Sequence, residues 1–284
     1  MGEASVKRGS TSTSEVSVRR RASVFTVVTL AFSWALWTPL VVGAISMDSD
    51  LAVLLILFGG FGPAVGAVFS VSMYGESIRA WLTDLLSIPR SVVWFVVVLL
   101  IPPTVLTLTA VLHVRIGEAT VGLDPRIALT GYPLSLVSIS LLGGGQEEFG
   151  WRGYLLPVLR SRWGMLTSSL GVGLLWAGWH IPLFLIPGTD QSHLPVASYV
   201  LLVLAVSVIL TWIFEGSGGS LPLAMLFHGG LNAYAYYPAG GLSAVRTPLG
   251  YNLIVASYLA LAVLVAFGSF RRSTSSETQT QIHV

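Results

Sequence analysis

The sequence predicts an all-α, polytopic membrane helix bundle with about eight transmembrane helices. Three observations carry this. Charged residues make up 10% of the chain and hydrophobic residues 54%, whereas a soluble domain carries about 25% charged residues. The mean hydropathy is +0.78. Apolar runs of about 20 residues, the length that crosses a bilayer, recur along the chain. The formal net charge of +2 gives no argument for nucleic acid, so the lipid bilayer is the expected partner. The chain has no cysteine. That excludes disulfides, thiolate catalysis and cysteine-ligated metals.

Residues 1–21 are polar and rich in Ser and Thr, and read as a disordered cytoplasmic segment. Arg19, Arg20 and Arg21 then lead into an apolar run from Ala22 to about Ala44. That run exceeds the ~7–15 residues of a signal-peptide core, so a retained first span is expected. Spans follow at roughly 23–44, 51–74, 91–114, 131–157, 166–186, 196–214, 221–238 and 249–270. The fourth is apolar only in its first half. It is expected to be one helix because YLLPVL resumes after its charges. These spans define a membrane domain over 22–270, and 271–284 reads as a disordered tail. Span two carries Gly59, Gly60, Gly62 and Gly66 with Pro63, a pattern of close helix packing.

Arginine placement sets the topology. Lys7, Arg8 and Arg19 to Arg21 precede span one. Arg79 and Arg90 lie between spans two and three, Arg160 and Arg162 follow span four, and Arg271 and Arg272 follow span eight. The alternate loops carry Asp48, Asp50 and Asp190, with Arg115, Arg126 and Arg246 as exceptions. Both termini are therefore expected in the cytoplasm. One lysine against fourteen arginines points to a prokaryotic cell membrane. In ESIRAWLTDLLSIPR, Ile78, Trp81, Leu82, Leu85 and Leu86 share one helical face, and Glu76, Arg79, Thr83 and Asp84 take the other. That reads as an amphipathic helix on the membrane surface.

Three spans hold strong polar groups at their middles. These are Glu147, Glu148 and Arg152 in span four, His180 in span five, and His228 with Asn232 in span seven. An ionised group at the bilayer centre costs about 2.5–3.5 kcal/mol, and such groups turn inward. Glu148 and Arg152 are four apart and share a face, so they can pair. Glu147 sits about 100° around the helix, so the two carboxylates can take different roles. His228 and Asn232, also four apart, project toward one point, and His180 shares a face with Trp176.

A carboxylate, two imidazoles and a carboxamide are the parts for water attack on a carbonyl. Glu147 would be the base, His180 would position the water, and His228 and Asn232 would donate to the oxyanion. Each group has a plainer alternative: a packing histidine, an interhelical asparagine, a structural ion pair, or a glutamate proton relay in a transporter. A non-catalytic immunity or scaffold protein is a further alternative. His113, Glu215, His193 and His283 lie at span ends, in a loop or in the tail, and read as interfacial or solvated.

Three motifs stand in order: Glu147-Glu148-Phe-Gly-Trp-Arg152, Trp176-Ala-Gly-Trp-His180 and His228-Gly-Gly-Leu-Asn232. Together they resemble the CAAX protease and bacteriocin-processing family, also called Abi, which includes the type II CAAX prenyl endopeptidases. That family usually has Phe where this chain has Trp176, a change read here as one of packing. The resemblance covers roughly 143–235. It implies a membrane-embedded endopeptidase whose substrate is a membrane-associated peptide or protein. It maps the catalytic base onto Glu147, the second-motif histidine onto His180, and the oxyanion donors onto His228 and Asn232. Glu148, Arg152 and Trp176 would support them. The family is commonly labelled a metalloprotease. That label implies a divalent metal such as zinc, which Glu147, His180 and His228 would ligate, whereas the glutamate mechanism needs no cofactor.

Overall fold

The computed structural model describes residues 7–89, 91–116, 131–233 and 247–282, with side chains from 17 to 268 within those ranges. Arg126, Arg246 and His283 lie outside them. The order is α1 (Lys7–Val41), α2 (Asp50–Gly59), α3 (Gly62–Met73), α4 (Ile78–Leu85), α5 (Val92–Arg115) and α6 (Tyr132–Leu142). A short irregular stretch follows, then α7 (Glu148–Gly150), α8 (Leu156–Arg160), α9 (Met165–Trp179), α10 (Ile181–Leu185), α11 (Val196–Gly216), α12 (Leu221–Asn232) and α13 (Pro248–Ile282). There is no β-strand among the described residues.

Among the described residues, five helices are long and apolar enough to cross a membrane: Ser17–Val41, Val92–Arg115, Met165–Leu185, Val196–Gly216 and Pro248–Gly268. The pair α2 and α3, bent by 42°, brings the number to six if it is counted as one span. Ser49 starts α2 by accepting the Ala52 amide on its hydroxyl. Pro63 in the first turn of α3 re-starts the helix after the bend. Ser77 caps α4 in the same way as Ser49 caps α2. Along α4, Leu85 is buried and Ile78, Trp81 and Leu82 are half-buried while Arg79 and Asp84 are exposed; Leu86, expected on the apolar face, is exposed.

The expected single helix over 131–157 is interrupted. With 11 and 12 residues, α6 and α12 rise only about 16–18 Å, too short for a core of about 30 Å. Glycine breaks the fourth segment. The chain leaves α6 at Gly143, and Gly144 takes φ +140, a conformation that residues with a Cβ rarely adopt. The Gly144 amide donates to Gln146 Oε1 at 2.8 Å instead of to a helical carbonyl. A turn of 3₁₀-helix (Gly145–Glu147) and a π-turn (Trp151–Leu155) follow. Pro157 explains the π-turn. It has no N–H for the carbonyl four residues back, that of Gly153. Trp81 fills the gap, its indole N–H donating to Gly153 O at 2.9 Å.

Small residues set the packing. A Cβ at Gly62 would overlap Ser33, and one at Gly66 would overlap Thr29, so α1 and α3 pack backbone to backbone. A Cβ at Gly150 would overlap the Pro63 carbonyl, which seats α7 against α3. The helix α12 packs against α5, α6, α11 and the irregular stretch. Leu221, Leu223, Ala224 and Phe227 of α12 are buried.

One of the histidines read as interfacial is not. His113 is buried, with Nε2 3.3 Å from Thr247 Oγ1 at the start of α13. His193 and Glu215 are exposed as expected, and Glu215 pairs with Arg160.

The glycine contacts give a paired prediction. Gly150→Ala should lower stability by about 1–3 kcal/mol through overpacking. Gly178→Ala, whose Cβ meets nothing within 4 Å, should be neutral or stabilising by up to about 1 kcal/mol. Unfolding midpoints in detergent check both.

Candidate functional site

Breaks in two helical segments and the last turns of a third bring the polar groups together. Glu147 ends the 3₁₀ turn, Glu148 opens α7, and Arg152 lies in the π-turn. Trp176 is in the last turn of α9, and His180 is the junction between α9 and α10. His228 and Asn232 lie in the last two turns of α12. Glu147, Glu148, Arg152, His180 and His228 are all buried.

Glu148 is the hub. Arg152 Nη1 lies 3.1 Å from its Oε1 and 3.0 Å from its Oε2, and neither side chain is exposed. His228 Nδ1 lies 2.8 Å from Oε1 of the same carboxylate. An ionised carboxylate only accepts, so Nδ1 carries a hydrogen and donates it. Arg152 reaches onward with Nη2, donating to Ser207 Oγ on α11 at 3.1 Å, and Ser207 donates to Ser169 O on α9 at 2.7 Å. Its guanidinium stacks 5.0 Å from the centroid of the Trp176 ring. Arg152 Nε has no hydrogen-bond partner among the described residues.

Glu147 has a different set of partners. Its Oε2 accepts the Trp176 indole N–H at 2.7 Å and the Trp151 indole N–H at 3.3 Å. Glu147 keeps 6% of its surface exposed and Glu148 none. The first glutamate is thus slightly less enclosed than the second.

His180 Nδ1 is 2.8 Å from Trp176 O. A carbonyl only accepts, which places the hydrogen on Nδ1 and leaves Nε2 as an acceptor in the neutral ring. No hydrogen bond among the described residues joins His180 to a carboxylate. It meets the cluster through Trp176, at a ring separation of 6.1 Å. Asn232 Nδ2 donates to Gly143 O at 3.1 Å. A Cβ built on Gly144 would lie 2.5 Å from Asn232 Nδ2 and 2.9 Å from His228 Nε2. Those two nitrogens thus converge on one point beside the glycine backbone, as their four-residue spacing predicts.

The spacing also gave the Glu148–Arg152 pair. It did not give the bond from His228 to Glu148, the two indoles on Glu147, or the hydroxyl of Ser207. Each of these crosses between segments, where no periodicity in the chain carries a signal. Ser207 offered only the faint one of a polar residue within a 21-residue apolar helix.

No group of three His, Cys, Asp or Glu side chains able to hold a metal ion occurs among the described residues. Glu147, His180 and His228, the ligands the metalloprotease label would need, do not form one.

Comparison with known proteins is consistent with these motifs. A family model described as type II CAAX prenyl endopeptidase Rce1-like matches residues 129–234, which contain every residue from Glu147 to Asn232. The chain is also 29% identical over 143 residues to CAAX prenyl protease 2 of Methanococcus maripaludis. That match covers 46% of this chain and 52% of the relative, about half the relative's length. The chain is thus distantly homologous to the CAAX/Abi protease superfamily.

The ion pair generates a stability prediction. Arg152→Met leaves Glu148 buried without its cation and should cost about 3–5 kcal/mol. Adding Glu148→Gln should recover most of that loss. Unfolding midpoints of the two single variants and the double variant in detergent measure the coupling.

Proposed function

We propose that the chain is an intramembrane endopeptidase that hydrolyses a peptide bond in a membrane-associated protein or peptide. The observation that carries this reading is the division between the two adjacent glutamates. Glu148 is fully buried and neutralised by Arg152, while Glu147 keeps 6% of its surface exposed and has no cation hydrogen-bonded to it. Distant homology to CAAX proteases supports the same reading.

In the proposed mechanism Glu147 takes a proton from water as the water attacks the scissile carbonyl carbon. His180, with Nε2 as an acceptor, orients that water. The carbonyl oxygen becomes an oxyanion at the point where His228 Nε2 and Asn232 Nδ2 converge. Asn232 has a second amide hydrogen free for this while the first stays on Gly143 O. His228 gives its Nδ1 hydrogen to Glu148, so it can donate through Nε2 only as imidazolium. Two carboxylates, one guanidinium and one imidazolium then leave the site neutral, which suits burial in an apolar bundle. Glu147 returns its proton to the leaving amine. No step requires a metal.

The topology belongs to the same proposal. The six crossings, together with the interrupted stretch α6–α8 and a span that begins with α12, make eight spans over 22–270. The flanks 1–21 and 271–284 and both termini lie on the cytoplasmic side, following the arginine distribution. The chain sits in a prokaryotic cell membrane.

A peptide assay in nanodiscs tests this, using quenched fluorescent peptides ending in a CaaX sequence with and without a farnesyl group. Glu147→Gln should lower kcat by about 10²–10⁴-fold. Asn232→Ala should lower it by ~10²–10³-fold with little change in KM. Wild-type activity in Glu147→Gln would sink the reading. A Glu147→Gln protein that keeps its biological effect in cells would favour a scaffold, and pH-driven flux in liposomes a transporter.

A further inference from the structure

Trp176 stands where the resembling family usually has Phe. Packing alone does not describe it. Its indole N–H donates to Glu147 Oε2 at 2.7 Å, the shorter of the two indole bonds to that oxygen. A phenyl ring could not make this bond. The same ring lies against the Arg152 guanidinium at 5.0 Å and meets the His228 ring edge-on at 5.1 Å. Its backbone carbonyl holds His180 Nδ1 at 2.8 Å. One residue therefore touches members of all three motifs.

The second indole is held as firmly. Trp151 packs edge-on against Phe25 at 5.6 Å and Trp179 at 6.1 Å. Trp151 and Trp176 are 1% and 3% exposed, so neither ring can swing away.

Two donors on one oxygen have a specific consequence. The terminal torsion of a glutamate is broad and nearly two-fold, so a free carboxylate presents either oxygen. Indole donors on Oε2 alone break that equivalence. They hold the carboxylate plane and leave Oε1 without an indole donor. We propose that Trp176, assisted by Trp151, is a positioning residue that fixes which oxygen of Glu147 acts as the base. This rests on the reading of Glu147 as general base.

The test uses the full-length protein in nanodiscs with the farnesylated quenched peptide. Trp176→Phe should lower kcat by ~10–100-fold, the kinetic equivalent of one hydrogen bond to a charged group. KM should stay within about twofold and the unfolding midpoint close to wild type. Replacing Trp176 by its benzothiophene analogue, which keeps ring size and loses only the N–H, should reproduce the loss.

A second measurement needs no substrate. The indole bands in ultraviolet resonance Raman spectra report the strength of N–H donation. Glu147→Ala should weaken the signal of the strongly bonded Trp176 indole, and Trp176→Phe should remove it.

Full kcat in Trp176→Phe, beside an inactive Glu147→Gln, would overturn the positioning role and leave the general-base reading intact. A loss appearing in Trp176→Phe but absent from the benzothiophene variant would reduce Trp176 to a packing residue and overturn the proposal. Raman spectra unchanged by Glu147→Ala would overturn it even if no peptide were cleaved. Activity retained in Glu147→Gln would instead remove the base reading itself.

Discussion

The rest of the site depends on one buried carboxylate. Glu148 is fully enclosed, and an isolated carboxylate there would cost several kcal/mol. It is tolerable because Arg152 and His228 both reach it. Arg152 comes from the turn after it and His228 from a helix 80 residues on. The pairing therefore ties α12 to the irregular stretch, and through Ser207 and Ser169 it extends to α11 and α9. Four segments are thus held at fixed rotation about one ion pair. A longer or looser linkage would leave charge exposed to apolar side chains.

Breaking helices inside a membrane raises a second requirement. Backbone carbonyls released at a break find no water in the hydrocarbon core. This chain meets much of that demand with tryptophan. Trp81 donates to Gly153 O, and Trp34 to Trp179 O next to the α9–α10 junction. Trp179 donates to Ser33 Oγ, whose own hydrogen goes to Gly59 O at the α2–α3 bend. An indole suits the task because it adds one donor, no acceptor and a large apolar body. Trp151 and Trp176 use the same chemistry on Glu147. The device that seals helix breaks also shapes the candidate reaction centre.

Much of this was legible in the chain before any coordinates. Composition gave a membrane bundle, and four-residue spacing gave the Glu148–Arg152 pair and the convergence of His228 with Asn232. Spacing works for these because both members ride on one segment, so local geometry decides. It failed for the fourth segment, where resumed hydrophobicity after the charges argued for a single helix. The positive φ of Gly144 and the missing N–H of Pro157 prevailed there over hydropathy. It failed for His113 because a span end need not be a protein surface. Trp176 was read as packing because its N–H partner lies 29 residues away in sequence. Contacts between segments depend on helix rotation, which no single-segment pattern specifies.

In the proposed mechanism the two neighbouring glutamates take opposite functions because their side chains diverge. Glu147 closes a 3₁₀ turn and Glu148 begins an α-turn, so their side chains leave on different sides. One side holds Arg152 and His228, and charge there is cancelled. The other holds two indoles, which donate to a carboxylate without adding a formal charge. In the proposed mechanism the imidazolium of His228 also acts on Glu147 through space, while the two indoles donate to it without adding formal charge. The reading of the first glutamate as a base and the second as a strut rests on these unlike hydrogen-bond partners, neutral for Glu147 and ionic for Glu148.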